Sequence, residues 1–439
     1  MSGETIIHSV LLFDGESIHP NATVTFDRDT GKVTSVRTEP TGDVAHPPSA
    51  TVIDGRGHTL LPGLIESHIH VHQMHMPPGV TAPDPIQSPL KCGITTVCDM
   101  HCDPAVVKNL RARIADDIAE ARKTGGTVNL SDLKSSLYAA TIAGGWPKSI
   151  VLSHNPSEEL KAFVDTWPSL TVENAKDFVQ QHKAEGANYI KLMQENHCAL
   201  ILPTNSIPVA TLELQTAVVN AAHQHGLRAA GHAFSVDMTE IVLKSGADGL
   251  THTFFDQAPP QSTIDHYKEH NAFVIPTLGL IASVTKEHQD YRDTFADIAA
   301  AKGLLDEFSV KTLRETVGAA SPEARFEYAI DSVRKLKAQG IDVLAGTDSA
   351  VGLQGLGLGP GLWLELQLYV DKCGFSATDA LRSATSVQAR RLDFVDRGLV
   401  AEGKRADLLL VKGNVTEDSS CLWKGDGVVG VWKEGIKAS

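Results

Sequence analysis

The sequence predicts an α/β protein in which a parallel barrel is flanked by a small β module built from both chain ends. Between about residues 92 and 375, short apolar runs alternate with helical stretches, the pattern of βα units and parallel strands. Before residue 58, and again after residue 405, the apolar runs are short, rich in β-branched residues and separated by turn residues. The chain has 439 residues, 42% hydrophobic and 21% charged, so it can bury a large core. An α/β barrel uses about 250 residues or more as one unit.

Taken in order, residues 5–13 and 22–37 read as short strands, with turns at Asp14-Gly15 and Thr30-Gly31. Residues 52–57 lead into the apolar run Leu60, Leu61, Leu64 and Ile65, a buried strand of the kind parallel sheets use. At its end stand His68 and His70, two positions apart. Side chains alternate across a strand, so both point the same way, as two ligands of one cation must, and His72 continues the phase. Further strands are expected at 94–97, 138–142, 189–193, 228–232, 249–252, 273–276 and 343–346, which with the first makes eight. Helices are expected at 106–123, 172–185, 211–225, 235–245 and 325–339, and 278–324 reads as a mostly helical excursion suited to a lid or an oligomer surface. The tail opens with a helix at 377–391 and returns to strands at 406–411 and 428–432. The expected division is therefore 1–58 with 377–439 as the composite β domain and 59–376 as the barrel.

The net charge is −14 and no run of Lys and Arg occurs, which argues against nucleic acid or an anionic membrane as partner. Six cysteines without a CxxC pair are expected to be reduced thiols, in a cytoplasmic protein. The N-terminus carries no basic segment followed by an apolar core, and no apolar run approaches the 18 or so residues that span a bilayer.

Polar groups recur at the carboxyl ends of the expected strands: the His68/His70 pair, Lys191, His232, His252 and Asp348. In a parallel barrel the active site forms at that end, where the βα loops gather. Each residue has a bland reading. Lys191 alone would be an exposed lysine, either histidine a hydrogen-bonded structural one, and Asp348 a helix N-cap. Their joint occurrence, each after an apolar strand, favours a shared cation. Burying each without a partner would cost several kcal/mol, and imidazoles with a carboxylate match the ligand preferences of zinc or a similar divalent ion.

On these motifs the chain resembles the amidohydrolase superfamily of metal-dependent hydrolases over nearly its full length. The carriers are Pro62-Gly63-Leu64-Ile65-Glu66-Ser67-His68-Ile69-His70, Gly93-Ile94-Thr95-Thr96-Val97, Ala187-Asn188-Tyr189-Ile190-Lys191, Gly231-His232-Ala233, Gly246-Ala247-Asp248-Gly249-Leu250-Thr251-His252, Gly346-Thr347-Asp348-Ser349 and the segment 398–408. It looks most like the prolidase-like and imidazolonepropionase-like branch. Glu66 stands where the family usually has Asp. The resemblance implies a (β/α)8 TIM barrel with a β-sandwich of both chain ends, and a binuclear site for two divalent ions, Zn2+ by ligand preference. His68 and His70 would hold the first ion with Asp348, His232 and His252 the second. Lys191, carboxylated by CO2 to N6-carboxylysine, would bridge them.

The implied reaction is hydrolysis of an amide-type C–N bond of a small molecule, such as an N-acyl amino acid, a dipeptide or a cyclic amide. A metal-activated hydroxide would attack, and Asp348 would carry its proton to the leaving nitrogen. Alternatives are lactone or carbamate hydrolysis, decarboxylation or a lyase step on the same metals, and, from another class, a non-catalytic scaffold. His72, His75, Tyr138, His154, His197 and the Gly/Leu-rich loop 352–361 are candidates to line the substrate pocket. A homo-oligomer is expected from the family.

Overall fold

The computed structural model describes residues 3–38, 48–73, 81–152 and 156–439. Its N-terminal strands are β1 (Glu4–Phe13), β2 (Ile18–Asp27), β3 (Lys32–Arg37), β4 (Thr51–Asp54) and β5 (His58–Pro62). The central ones are β6 (Leu64–Gln73), β7 (Ile94–Asp99), β8 (Asp132–Ser135), β9 (Ile190–Met193), β10 (Ala229–His232), β11 (Gly249–Thr251), β12 (Phe273–Ile275) and β13 (Ser349–Val351). The tail adds β14 (Leu408–Lys412), β15 (Val428–Lys433) and β16 (Ile436–Lys437).

Both chain ends meet in one eight-stranded sheet, ordered β16-β15-β14-β5-β1-β2-β3 with β4 on β1. The expected sandwich is thus one continuous hydrogen-bonded sheet rather than two separate ones. β5 is the joint. It lies between β14 and β1, and after Gly63 the chain runs directly into β6. Its apolar side chains split accordingly: Leu60 packs with Val10, Phe26, Leu408 and Trp432, whereas Leu61, like Leu64 at the start of β6, belongs to the main core.

The central strands form two parallel four-stranded sheets, β13-β6-β7-β8 and β12-β11-β10-β9. The expected closed barrel is met only in part. Among the described residues no continuous ladder joins the sheets, and single parallel bridges, Ala140 to Leu192 and Val274 to Val343, stand between them.

Two expected strands lie elsewhere. The third is β8, Asp132-Leu133-Lys134-Ser135, and not 138–142. Its charged residues are tolerated because Arg397, far along the chain, pairs with Asp132. Residues 343–346 form no strand, because their polar groups are used irregularly. Leu344 and Ala345 donate to Val274 and Ser383, and the Ala345 carbonyl accepts from Ser67. The regular pairing with β6 begins only at Ser349.

The expected helices are present as Pro104–Thr124, Ala175–Ala184, Leu212–Gln224, Val236–Lys244 and Phe326–Ala338. The 278–324 excursion holds three, Leu278–Val284, Gln289–Ala301 and Glu307–Arg314, while 377–391 breaks into Ala377–Ser383 and Ser386–Arg391. The helix Pro360–Cys373 was not foreseen. It is buried almost all round, so it shows no polar stripe. Its Glu365 accepts from the Leu278 and Gly279 amides and so seats the start of the excursion. Among the described residues no helix is long and apolar enough to cross a membrane.

Candidate metal centre

β6 delivers His68 and His70 to one face of its sheet, as the alternation requires. Residues 345–348 run beside it: the Ser67 amide donates to the Ala345 carbonyl, and the Asp348 amide to the His68 carbonyl. Glu66 fastens the two segments, its Oε1 accepting from the His68 and Thr347 amides at 2.9 and 3.0 Å. Asp348 precedes β13 and adopts φ 62°, a left-handed conformation unusual for a side-chain-bearing residue. That turn sets Oδ1 3.0 Å from His68 Nε2 and 2.9 Å from His70 Nε2.

One donor atom each from His68, His70 and Asp348 lies within 4.8 Å of the others. His68 Nδ1 and His70 Nδ1 are buried and lack a hydrogen-bonding partner among the described residues. Two imidazole nitrogens and a carboxylate oxygen gathered at one point fit a divalent cation. Burial would raise the Asp348 carboxyl, but the two imidazoles outweigh it and hold it well below the usual range. Burial, helped by Lys191, pushes His68 down to about 3. Burial thus favours the neutral imidazole, the form that ligates metals.

The remaining three candidates close around this group. Lys191, on β9, is buried, and burial lowers its amine to about 7. Its Nζ donates to Thr251 Oγ1. His232 ends β10 and His252 follows β11, with ring centroids 4.7 Å apart. His252 in turn lies 4.9 Å from His68. Both are lowered by burial, His252 further by its neighbour His232. His252 Nδ1 and Thr277 Oγ1 are 2.8 Å apart, and both residues are at positive φ, 75° and 52°. The structure thus brings together the expected set of six.

Among known families, residues 59–437 match the Amidohydrolase family. The chain belongs to the amidohydrolase family. Solved structures resemble it along its whole length. A Xaa-Pro dipeptidase with bound methionine in the active site is 23% identical, over 99% of this chain and 100% of that one, with a TM-score of 0.72. A molinate hydrolase is 18% identical (100% and 95% covered, TM-score 0.73). Phenylurea hydrolase B is also 18% identical (99% and 97% covered, TM-score 0.74). At these identities the likeness is one of fold. No curated protein matches the chain in a sequence comparison.

The expected substrate residues of this amidohydrolase family member are scattered. His72 is partly buried beside His70, its Nδ1 3.2 Å from the His101 carbonyl. His197 is buried, paired with Ser206 Oγ at 2.9 Å and facing Trp146. Tyr138 donates to Asp103 at 2.6 Å and lines an outer cavity of about 560 Å³ with Asp103, Phe178 and His182. Loop residues 352–361 pack against the 278–324 excursion, the Gly355 amide donating to Thr312. His75 and His154 lie outside the described residues.

Other groups at the centre escaped the sequence reading. Glu195 is buried 3.1 Å from His232. Trp146 stacks on the His232 ring at 5.2 Å and 26°. His101 accepts the Ala139 amide on Nδ1, which leaves Nε2 as a buried N–H without a partner among the described residues, beside Trp167. Only Glu195 left a trace in the sequence, as an acid in the polar run Gln194-Glu195-Asn196-His197 directly after a strand.

Proposed function

We propose that this protein is a metal-dependent hydrolase that cleaves an amide-type C–N bond of a small molecule, such as an N-acyl amino acid, a dipeptide or a cyclic amide. The observation that carries the reading is the convergence of His68, His70 and Asp348 next to a fully buried lysine. Membership of the amidohydrolase family supports it. So do the names of the structural neighbours, which include a dipeptidase and a phenylurea hydrolase. In this reading the two four-stranded sheets are halves of one (β/α)8 barrel spanning 59–376, and 1–58 with 377–439 form the flanking domain.

His68, His70 and Asp348 would hold one divalent cation, His232 and His252 a second, with zinc the natural fit to such donors. Lys191 suits carboxylation, because only a neutral amine attacks CO2 and burial favours the neutral form. Bound cations would supply Lewis-acid polarisation of the scissile carbonyl and an acidified water. Asp348, held ionised, is the base in reach of that position and the carrier of the proton to the leaving nitrogen, which departs only when protonated. His72 and His197 would face the substrate.

The test is Lys191→Ala in an assay against a panel of amides, dipeptides and ureas. Turnover should fall at least about 10²-fold, the scale of losing a catalytic group, and a short carboxylic acid should restore part of it by occupying the bridge. Normal turnover in the variant would sink the bridged scheme. Product formed in labelled water separates hydrolysis, which incorporates solvent oxygen, from decarboxylation or lyase chemistry.

A further inference from the structure

We infer that Glu195 is a positioning residue dedicated to the second cation site, holding His232 so that Nδ1 is its ligand nitrogen. The inference rests on the binuclear reading above and concerns how unequal its two halves are.

Glu195 follows β9 by two residues, and its side chain is fully enclosed. One oxygen, Oε1, accepts the backbone amides of Asn196 at 3.0 Å and His197 at 2.6 Å, the latter residue at φ 66°. The carboxylate is thereby fixed by its own loop. Its other oxygen, Oε2, is 3.1 Å from His232 Nε2. A carboxylate only accepts, so His232 Nε2 carries the proton and Nδ1 keeps its lone pair. The ring cannot swing away from this arrangement, because Trp146 covers one face and Phe234 stands 4.5 Å off, edge-on. Nothing among the described residues bonds to Nδ1, and the His252 ring is 4.7 Å away.

The first site is built otherwise. Among the described residues no carboxylate is hydrogen-bonded to Nδ1 of His68 or His70. Negative charge there comes from Asp348 itself. At the second site, apart from the shared bridge, the carboxylate in hydrogen-bond contact with a ligand is Glu195, through His232. A carboxylate hydrogen-bonded to a ligating histidine orients the ring and raises its basicity, and losing it costs roughly 10–100-fold in metal affinity. Because Glu195 touches only one ligand, that loss should fall on one cation.

The experiment is a zinc titration of the full-length protein against a competing chelator, with elemental metal analysis and the absorption spectrum of the cobalt-loaded form. Wild type should bind two equivalents. Glu195→Gln keeps the shape and removes the charge. It should retain the tighter equivalent unchanged, weaken the other roughly 10–100-fold, and alter only the spectral band of the second cobalt. Should Glu195→Gln fail to fold, as judged by circular dichroism, Glu195→Asp serves. It keeps the charge but draws it back by one methylene, and it should again weaken the second equivalent alone. Two equivalents held as in wild type would overturn the inference. Equal weakening of both would do so too, since it would mark Glu195 as a general support of the fold. A wild type that binds a single equivalent would overturn the binuclear reading itself and the inference with it.

Discussion

Asp348 is the residue on which the most constraints meet. Its positive φ carries a conformational cost of about 1–3 kcal/mol, which persists only where surroundings over-determine it. Here they do: its amide is bonded to the His68 carbonyl, and Glu66 secures the neighbouring Thr347 amide. Asp348→Asn should therefore fold, with a melting temperature close to wild type. It should lose turnover by roughly 10²–10⁴-fold, as expected when a proton carrier is removed, and bind the first cation more weakly. Retained turnover in a metal-loaded Asp348→Asn would remove Asp348 from the chemistry. The six expected residues were legible because each breaks an apolar strand pattern with a group that burial penalises. Glu195, Trp146 and His101 were not, since a polar or aromatic loop residue looks the same in sequence whether it is solvated or packed on a ligand.

At the scale of elements, the site depends on close approaches of strand to helix and of residue 346 to its neighbouring strands. Gly231 lies in β10, one residue before His232, and a Cβ there would meet Val242 Cγ1 at 2.6 Å. Gly346 is tighter still, since a Cβ would meet Ile275 Cγ2 at 2.5 Å and Ser67 Oγ at 2.7 Å. Gly231→Ala should therefore destabilise by about 1–3 kcal/mol through overpacking, read as a lower denaturant midpoint at unchanged slope. Gly346→Ala presses on His68 Cβ as well, at 3.0 Å. It should lower metal affinity in addition to stability, and a variant with full affinity would show that this segment yields freely. The elements the sequence misplaced, β8 and the 343–346 segment, share one cause. Many of their polar groups are satisfied by partners more than 20 residues away, so neither composition nor alternation could mark them.

At the scale of the whole molecule, the tail is keyed into the parallel sheets by charge. Asp132 on β8 pairs with Arg397 and, at 3.3 Å, with Arg405. Arg405 also reaches Asp407 and Glu434 in the tail, while Lys433 donates to the Leu130 carbonyl at 2.8 Å. Burial would raise the Asp132 carboxyl, but the two arginines dominate and depress it far below its ordinary value. A depressed acid stabilises the fold above its unfolded pKa, near 3.8, and that contribution is lost as pH falls below it. Asp132→Asn should thus cost on the order of 3 kcal/mol at neutral pH, the scale of breaking a buried pair. The gap to wild type should narrow as pH drops below about 4, in denaturant titrations across pH. A constant gap would mean that the pairing charge contributes nothing. With the β5–β6 joint and this cluster linking both parts, unfolding followed by fluorescence and by circular dichroism should coincide in one transition.

The sequence by itself determined the order of βα units, the union of the two chain ends and the six polar residues that the structure brings together. These follow from local rules: alternation along strands, helical periodicity, and the cost of burying an unpartnered charge. Only the tertiary structure decided that the chain ends share one sheet, where β8 and β13 lie, and which carboxylate stands behind His232. Those outcomes depend on contacts such as Arg397 with Asp132 and Glu195 with His232. Their energies arise only when distant segments are packed out of water, and no local pattern records them.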